Sequence, residues 1–418
     1  MIRGMIRVST RCAALALGLV SAFTLACSSD DDAATRAQAG AGGSETSGGS
    51  AAEAGKAGAA KGGASQAGGG TSSDGGGDGG QASGGGEQGG GAASGGRPAG
   101  WLYTEGNEIK VSDGKGAGKT WVGRGVNIDD IFFCGYNGTL WMPSPGGELK
   151  TIVNNVVRDW KPTFIRTSLA MASFPQVVSW TTNVDDYQKP MVDAIKTMGS
   201  HPGVYVLVTL RSDSSMIGHF AGSPEPTGIP SDSATSPDKA KYPNGTDDLY
   251  RALVNAFKDD AFVLFGLANE PGGNALSNEK IHGAMAHAVG VIRAEEDRLG
   301  VPHHLVAVQG QGWSGDISYY AERPIEHDDV VYEVHGYPPP PSAYTYANLP
   351  VIIGEYGSID AEAFYADIEA KQIPSLAWDL DPYSNCAPDL VEVNQSSSNL
   401  VPSDWGKVVQ AYLLEHAN

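Results

Sequence analysis

A (β/α)8 barrel over residues 101–418, an α/β architecture, is the fold this sequence predicts, and three observations predict it. Eight short β-branched runs recur along the stretch, amphipathic helical patterns separate most of them, and the two cysteines of this part follow the first and the last run. In a closed barrel the first and last strands are neighbours, so Cys134 and Cys386 would share one rim and a disulfide between them would staple the seam. The runner-up, an open doubly wound sheet, has no reason to bring those loops together. The alternative for the cysteines themselves is two unrelated thiols.

Residues 101–128 (WLYTEGNEIKVSDGKGAGKTWVGRGVNI) read as a small hairpin with a Gly-rich turn, followed by the first barrel strand through Val126. Further strands are expected at 163–167, 203–210, 261–268, 304–308, 330–334, 350–354 and 374–378, each rich in Val, Ile, Leu or aromatic residues. Helix 148–160 (ELKTIVNNVVRDW) sets Ile152, Val153, Val156, Val157 and Trp160 on one stripe at helical spacing. The segments 247–260, 277–300, 360–372 and 403–416 repeat that pattern, with Ser277 placed to start its helix and Gly300 to stop it. The elements after the fifth and sixth strands look short or irregular.

Ahead of the barrel, residues 28–100 contain no Val, Leu, Ile, Met or aromatic residue and hold 26 of the 57 glycines. Such a segment cannot offset its ordering entropy and reads as a disordered Gly/Ala/Ser linker with a reach of roughly 45–50 Å. Residues 1–27 carry Arg3, Arg7 and Arg11, then an apolar run too short to span a bilayer, then Cys27. This is the layout of a secretory signal, and the ending TLAC resembles the lipobox of bacterial lipoproteins, with Thr24 where that pattern favours Leu. Lipidation of Cys27 and a cell-surface or outer-membrane location are expected; the alternative is an ordinary signal cut near Ala26 and a secreted product.

The formal net charge of −20 argues against a nucleic-acid partner, whose phosphates would be repelled, and leaves a neutral polymer acceptable. A monomer is expected. Cysteine spacing fits no zinc pattern, and His303–His304 has no partnered ligand set, so neither metal nor cofactor is expected. The run VQGQGWSG holds Gly310, Gly312 and Gly315 in a dinucleotide-like spacing, but the following helical stretch is cut off by Pro324. Its GWSGD also misses the nucleophile-elbow pattern at Asp316.

Barrel enzymes build their sites at the C-terminal ends of the strands. Those ends carry Arg166, Asn269 with Glu270, His335 with Tyr337, Glu355 and Trp378. Glutamates ending the fourth and seventh strands can face each other across the mouth, as two-carboxylate glycoside hydrolysis requires. The duller readings are a solvated turn at Asn269–Glu270, a surface ion pair for Arg166, a satisfied core histidine at 335, and barrel packing for Trp378. Tyr136, Trp141, Trp313 and Tyr344 lie in rim loops, where stacking on a sugar and simple loop packing are both open.

FIRTS with Arg166, LANEP, EVHGY, IIGEYG and LAW, taken in that order and strand placement, resemble glycoside hydrolase family 5 of clan A over essentially all of 101–418. The resemblance implies a retaining, cellulase-like β-glycanase acting on a polysaccharide or oligosaccharide, with Glu270 as acid/base and Glu355 as nucleophile. It also implies that Asn269 holds the sugar 2-hydroxyl and that Arg166 and Tyr337 bond Glu355. His335 would orient the sugar or the acid/base, and Trp378 would lie beneath the reacting ring. A β-1,4-glucan is favoured over mannan, and a catalytically idle carbohydrate-binding barrel is the alternative of another class. One departure stands out: the family commonly has a histidine ending strand three, where this chain reads VTLRSDS, with Arg211 or Asp213 at that place.

Overall fold

The computed structural model of the chain describes residues 97–128, 145–170, 188–211, 246–271, 276–358, 360–381, 388–392 and 398–417. The expectations for the leader with Cys27, for residues 28–96 of the linker, for Cys134, Cys386, Tyr136, Trp141 and Asp213 lie outside those residues.

Eight parallel strands close into a barrel: β4 (Arg124–Asn127), β5 (Phe164–Ala170), β6 (Tyr205–Arg211), β7 (Val263–Gly266), β8 (Val306–Gln309), β9 (Val330–His335), β10 (Val351–Tyr356) and β11 (Ser375–Ala377). Neighbours in sequence are neighbours in the ring, and β11 pairs with β4 through Ser375–Arg124, Leu376–Gly125 and Ala377–Val126. That pairing removes the open-sheet alternative. The expected N-terminal hairpin is instead a three-stranded antiparallel sheet, β1 (Leu102–Glu105), β2 (Glu108–Ser112) and β3 (Gly118–Thr120). The third strand is only Gly-Lys-Thr, too short and polar to show a strand pattern.

Strand alternation divides the barrel into two cores. Ile165, Val206, Val208, Val263, Phe265, Val306, Val308, Val330, Tyr332, Val334, Val351 and Ile353 point outward into a large core shared with the helices. Their neighbours point inward, and at the N-terminal ends these are apolar: Phe164, Leu207, Leu264, Leu305, Ala307, Val331, Ile352 and Leu376. Leu102, Ile109 and Trp121 of the N-terminal sheet pack on that inner cluster, so the sheet covers the bottom of the barrel. Arg97 is already tied in, donating to the carbonyls of Leu102 at 3.0 Å and His303 at 2.9 Å.

The outer layer comprises α1 (Pro145–Trp160), α2 (Lys189–Gly199), α3 (Thr246–Phe257), α4 (Asn278–Leu299), α5 (Ser318–Glu322), α6 (Pro341–Tyr344), α7 (Ala361–Ala370) and α8 (Asp404–Glu415). On α1, Ile152, Val153, Val156 and Trp160 are buried and Val157 partly so, as the stripe requires. The Ser277 hydroxyl caps α4 by accepting from the Lys280 N–H, and Gly300 ends it at φ 67°. After β8 and β9 only the short α5 and α6 follow.

Candidate active site

The inward positions change character toward the C-terminal ends of the strands. Two residues above the apolar layer the same alternation presents Asn127, Arg166, Gln309 and Glu333, and two further on His335, all buried. Arg166 is the hub: Nη1 donates to Glu355 Oε1 at 2.8 Å and to Asn127 Oδ1 at 3.0 Å, and Nη2 donates to Asn269 Oδ1 at 2.6 Å. Its Nε lies 3.0 Å from Glu333 Oε1, an ion pair between side chains 1% and 0% exposed. One planar fork therefore fixes three acceptors and meets a fourth, which a lysine could not do.

Glu355 needs an irregular strand to reach this cluster. Ile353 points outward and Gly354 inward, so a regular strand would turn Glu355 away from the barrel axis. The register shifts at this point: Ile353 pairs with Val334, but Glu355 pairs with the next residue, His335. The pairing with β11 shifts at the same place. A bulge at Gly354–Glu355 re-aims the carboxylate to the centre. There Arg166 holds Oε1 and the Tyr337 hydroxyl donates to Oε2 at 2.7 Å. Although Tyr337 as a whole is 47% exposed, enclosure of its hydroxyl and the Glu355 charge push the phenol well above its ordinary range, so it stays a donor.

Glu270 stands beyond the end of β7 with φ 49°, a left-handed backbone that costs a residue with a side chain about 1 kcal/mol or more. Its N–H donates to Gln309 Oε1 at 2.6 Å, which holds that conformation. His335 Nδ1 is 3.0 Å from Glu270 Oε1 and 3.4 Å from Glu355 Oε1, while Nε2 is 3.0 Å from Glu333 Oε1. Burial works against a charged imidazole here, but the Glu355 charge and the hydrogen bonds to Glu270 and Glu333 outweigh it, raising His335 to about 9. Burial likewise opposes ionisation of Glu333, yet the Arg166 charge and the bond from His335 hold it below the usual carboxylate range.

One oxygen of Glu270, one of Glu355 and a nitrogen of His335 all lie within 4.8 Å of one another. Among the described residues no other His, Cys, Asp or Glu group is close enough to surround a metal ion, and this one is poorly suited to it. A guanidinium and a phenol already occupy both Glu355 oxygens. Two carboxyl groups this close, one of them held by two donors, suit attack on and protonation of a single linkage.

Of the other residues singled out by sequence, Asn269 sits on Arg166, and Trp378 follows β11 at 6% exposure, its carbonyl accepting from Trp405 Nε1. Trp313 is 54% exposed on the loop after β8. The glycines around it serve that loop: Gly312 has φ 65°, and a Cβ at Gly310 would come 2.0 Å from the Asp316 carbonyl oxygen. Tyr344 is not a rim residue; it is buried against Phe364 with its hydroxyl on Asp367, which leaves loop packing as its role. His303 and His304 each pair with one carboxylate, Asp297 and Glu296. Arg211 ends β6, where the strand-three histidine is commonly found. Sequence reasoning missed Asn127, Gln309 and Glu333. The available signal was a polar residue inside a β-branched strand at even spacing from a site residue, as Glu333 is from His335.

The profile of the family described as Cellulase (glycosyl hydrolase family 5) matches residues 132–384. A curated relative, Endoglucanase A of Butyrivibrio fibrisolvens, is 25% identical over 138 residues, covering 30% of this chain and 29% of that protein. Among solved structures, the β-glucanase of Saccharophagus degradans in complex with cellotetraose superposes with a TM-score of 0.54 at 18% identity, over 76% of this chain and 94% of that one. The mannohexaose complex of Thermomonospora fusca β-mannanase gives 0.50 at 18% identity, over 76% and 97%. At those identities the superpositions speak for the fold alone, whereas the profile spans more than half of the chain. The chain belongs to glycoside hydrolase family 5.

Proposed function

We propose that the protein is a retaining β-glycanase in which Glu355 is the nucleophile and Glu270 the general acid/base. The observation that carries this reading is the approach of the two carboxylates to within 4.8 Å, oxygen to oxygen. Direct attack needs carboxyl groups about 5–5.5 Å apart, whereas an inverting site leaves room for a water at roughly 6.5–9.5 Å. Arg166 and Tyr337 keep Glu355 ionised and aimed at the anomeric carbon. Glu270, as the general acid, gives a proton to the departing oxygen. Once Glu355 is esterified by the sugar its charge is gone. Glu270 then takes a proton from water, which cleaves the ester. Asn269 is placed to hold the 2-hydroxyl, with Trp378 beneath the sugar ring and Trp313 on the rim offering a stacking face.

The substrate we favour is a β-1,4-glucan, cut internally. The family description and the relative named an endoglucanase support glucan; the fold shared with a mannanase makes mannan the second substrate to try. We further propose export, with Cys27 lipidated and residues 28–100 tethering the barrel off the membrane, and a Cys134–Cys386 disulfide across the seam. A Cys27→Ser variant that still partitions into detergent would refute the anchor. Thiol labelling of either Cys134 or Cys386 in denatured, unreduced protein would refute the bridge.

The test of function is hydrolysis of a panel of glucans, mannans and xylans by the parent and by Glu270→Gln and Glu355→Gln. Each variant should lose at least about 10²-fold on whichever polymer the parent cleaves. A parent that binds the panel but cleaves none of it, or variants as active as the parent, would leave a carbohydrate-binding barrel as the better reading.

A further inference from the structure

Glu333 is an acidic side chain of the barrel interior for which the reaction has no use, and it is completely buried. Its position is built. Gly354 on the neighbouring strand leaves it room: a Cβ there would come 2.0 Å from Glu333 Oε1 and 2.7 Å from Cγ and Cδ. Oε1 meets two cationic groups at once, Arg166 Nε and His335 Nε2, each at 3.0 Å. The groups around His335 are Glu270 beyond β7, Gln309 on β8, Glu333 and Tyr337 on and after β9, Glu355 on β10 and Arg166 on β5. Of these, Glu270, Glu355 and Glu333 are the acids in contact with the ring. Glu270 and Glu355 both face Nδ1, whereas Glu333 is the acid facing Nε2, which also lies 3.3 Å from the Gln309 amide nitrogen.

That division has a consequence for the cycle. Resting on the reading of Glu355 as nucleophile, the Glu355 charge disappears when the sugar is attached. Arg166 and His335 would then lose a shared counter-charge at the moment Glu270 must accept a proton. Glu333 does not react, and it remains. We propose that Glu333 is a positioning residue that holds the Nε2 proton on His335 and supplies the permanent counter-charge to His335 and Arg166, so that Nδ1 keeps facing Glu270 through both halves of the reaction. The logic is that of a buried carboxylate setting the tautomer of a catalytic imidazole, where the amide replacement preserves shape and loses the proton's address.

Two measurements on the full-length protein test it. The first needs no altered residue at Glu333: nitrogen-resolved NMR of the histidine rings, with His335 identified by loss of its signals in His335→Asn. His335 should carry a proton on Nε2 at pH 7, both free and after trapping with a 2-deoxy-2-fluoro-β-cellobioside. A ring protonated only on Nδ1 in either state overturns the proposal. The second is Glu333→Gln, with Glu333→Asp as the conservative control. In the amide variant the alkaline limb of kcat/KM on an aryl β-cellobioside should move down by about one pH unit or more, a roughly tenfold loss above the limb, with KM within about threefold. The aspartate should recover most of that shift. A folded Glu333→Gln with an unmoved alkaline limb overturns it; if that variant does not fold, the ring measurement decides. A parent unable to cleave the aryl glycoside would count against the glycanase reading, while the ring protonation of the free protein still tests Glu333.

Discussion

Replacing Arg166 by Met asks how much of the site's order is electrostatic. Arg166 is 1% exposed and meets Glu333, itself 0% exposed, and Glu355 within 3.0 Å, besides donating to Asn127 and Asn269. Methionine fills much of the same space but leaves two buried carboxylates without the guanidinium, with His335 a close cation to both. Removing one partner of a buried ion pair typically costs about 3–5 kcal/mol. At roughly 2 °C per kcal/mol for a domain of this size, the melting temperature at pH 7 should fall by about 6–10 °C. The sign of the pH dependence follows from Glu333, which Arg166 holds below the usual carboxylate range. A depressed carboxylate contributes stability that is present above its unfolded value, near 4.5, and lost as the pH falls through its folded value. In Arg166→Met that contribution is gone from the start, so between pH 7 and about 3 the gap between variant and parent should stay constant down to about 4.5 and narrow below it. Calorimetric melts of both proteins across that range are the assay. An equal deficit at both ends of the range would mean lost packing only, and no deficit would refute the electrostatic argument outright.

Two further substitutions probe Glu355 and its neighbours. Tyr337→Phe removes the 2.7 Å donor to Glu355 Oε2 from a residue that is 47% exposed, so kcat should fall about tenfold to a hundredfold while melting is nearly unchanged; an unaltered kcat would show that the phenol does not aim the nucleophile. Gly354→Ala drives a methyl to 2.0 Å from Glu333 Oε1, where only displacement of Glu333 or of the strand can relieve the clash, at about 1–3 kcal/mol. It should lower both the melting temperature and activity, and an alanine variant matching the parent in both would mean that the room beside Glu333 is not needed.

Much of this was legible in the sequence because the barrel repeats one pattern. Outward Val and Ile positions alternate with inward ones in most strands, and α1 shows its buried stripe directly. The polar ends of the same strands exposed Arg166, Glu270, His335 and Glu355 as a set. What stayed hidden depends on geometry that no local pattern encodes. The bulge at Gly354–Glu355 inverts the parity of the strand, so alternation alone would have turned Glu355 outward. Glu333 was not singled out for the site, because its partners come from β5 and from its own strand two residues on. Tyr344 shows the opposite error: an aromatic in a proline-rich loop suggests a rim, but α6 turns it into the helical layer.

The claim on which the rest stands is that a Glu270 and a Glu355 oxygen, within 4.8 Å of each other, perform two displacements at one carbon. Proton NMR of the anomeric signals during the first minutes of hydrolysis of a soluble β-glucan reads this directly. The β-anomer of the new reducing end should appear first and the α-anomer only later, by mutarotation. An α-anomer formed first would mean a single displacement by water, and the close carboxylate pair would then have to be doing something else.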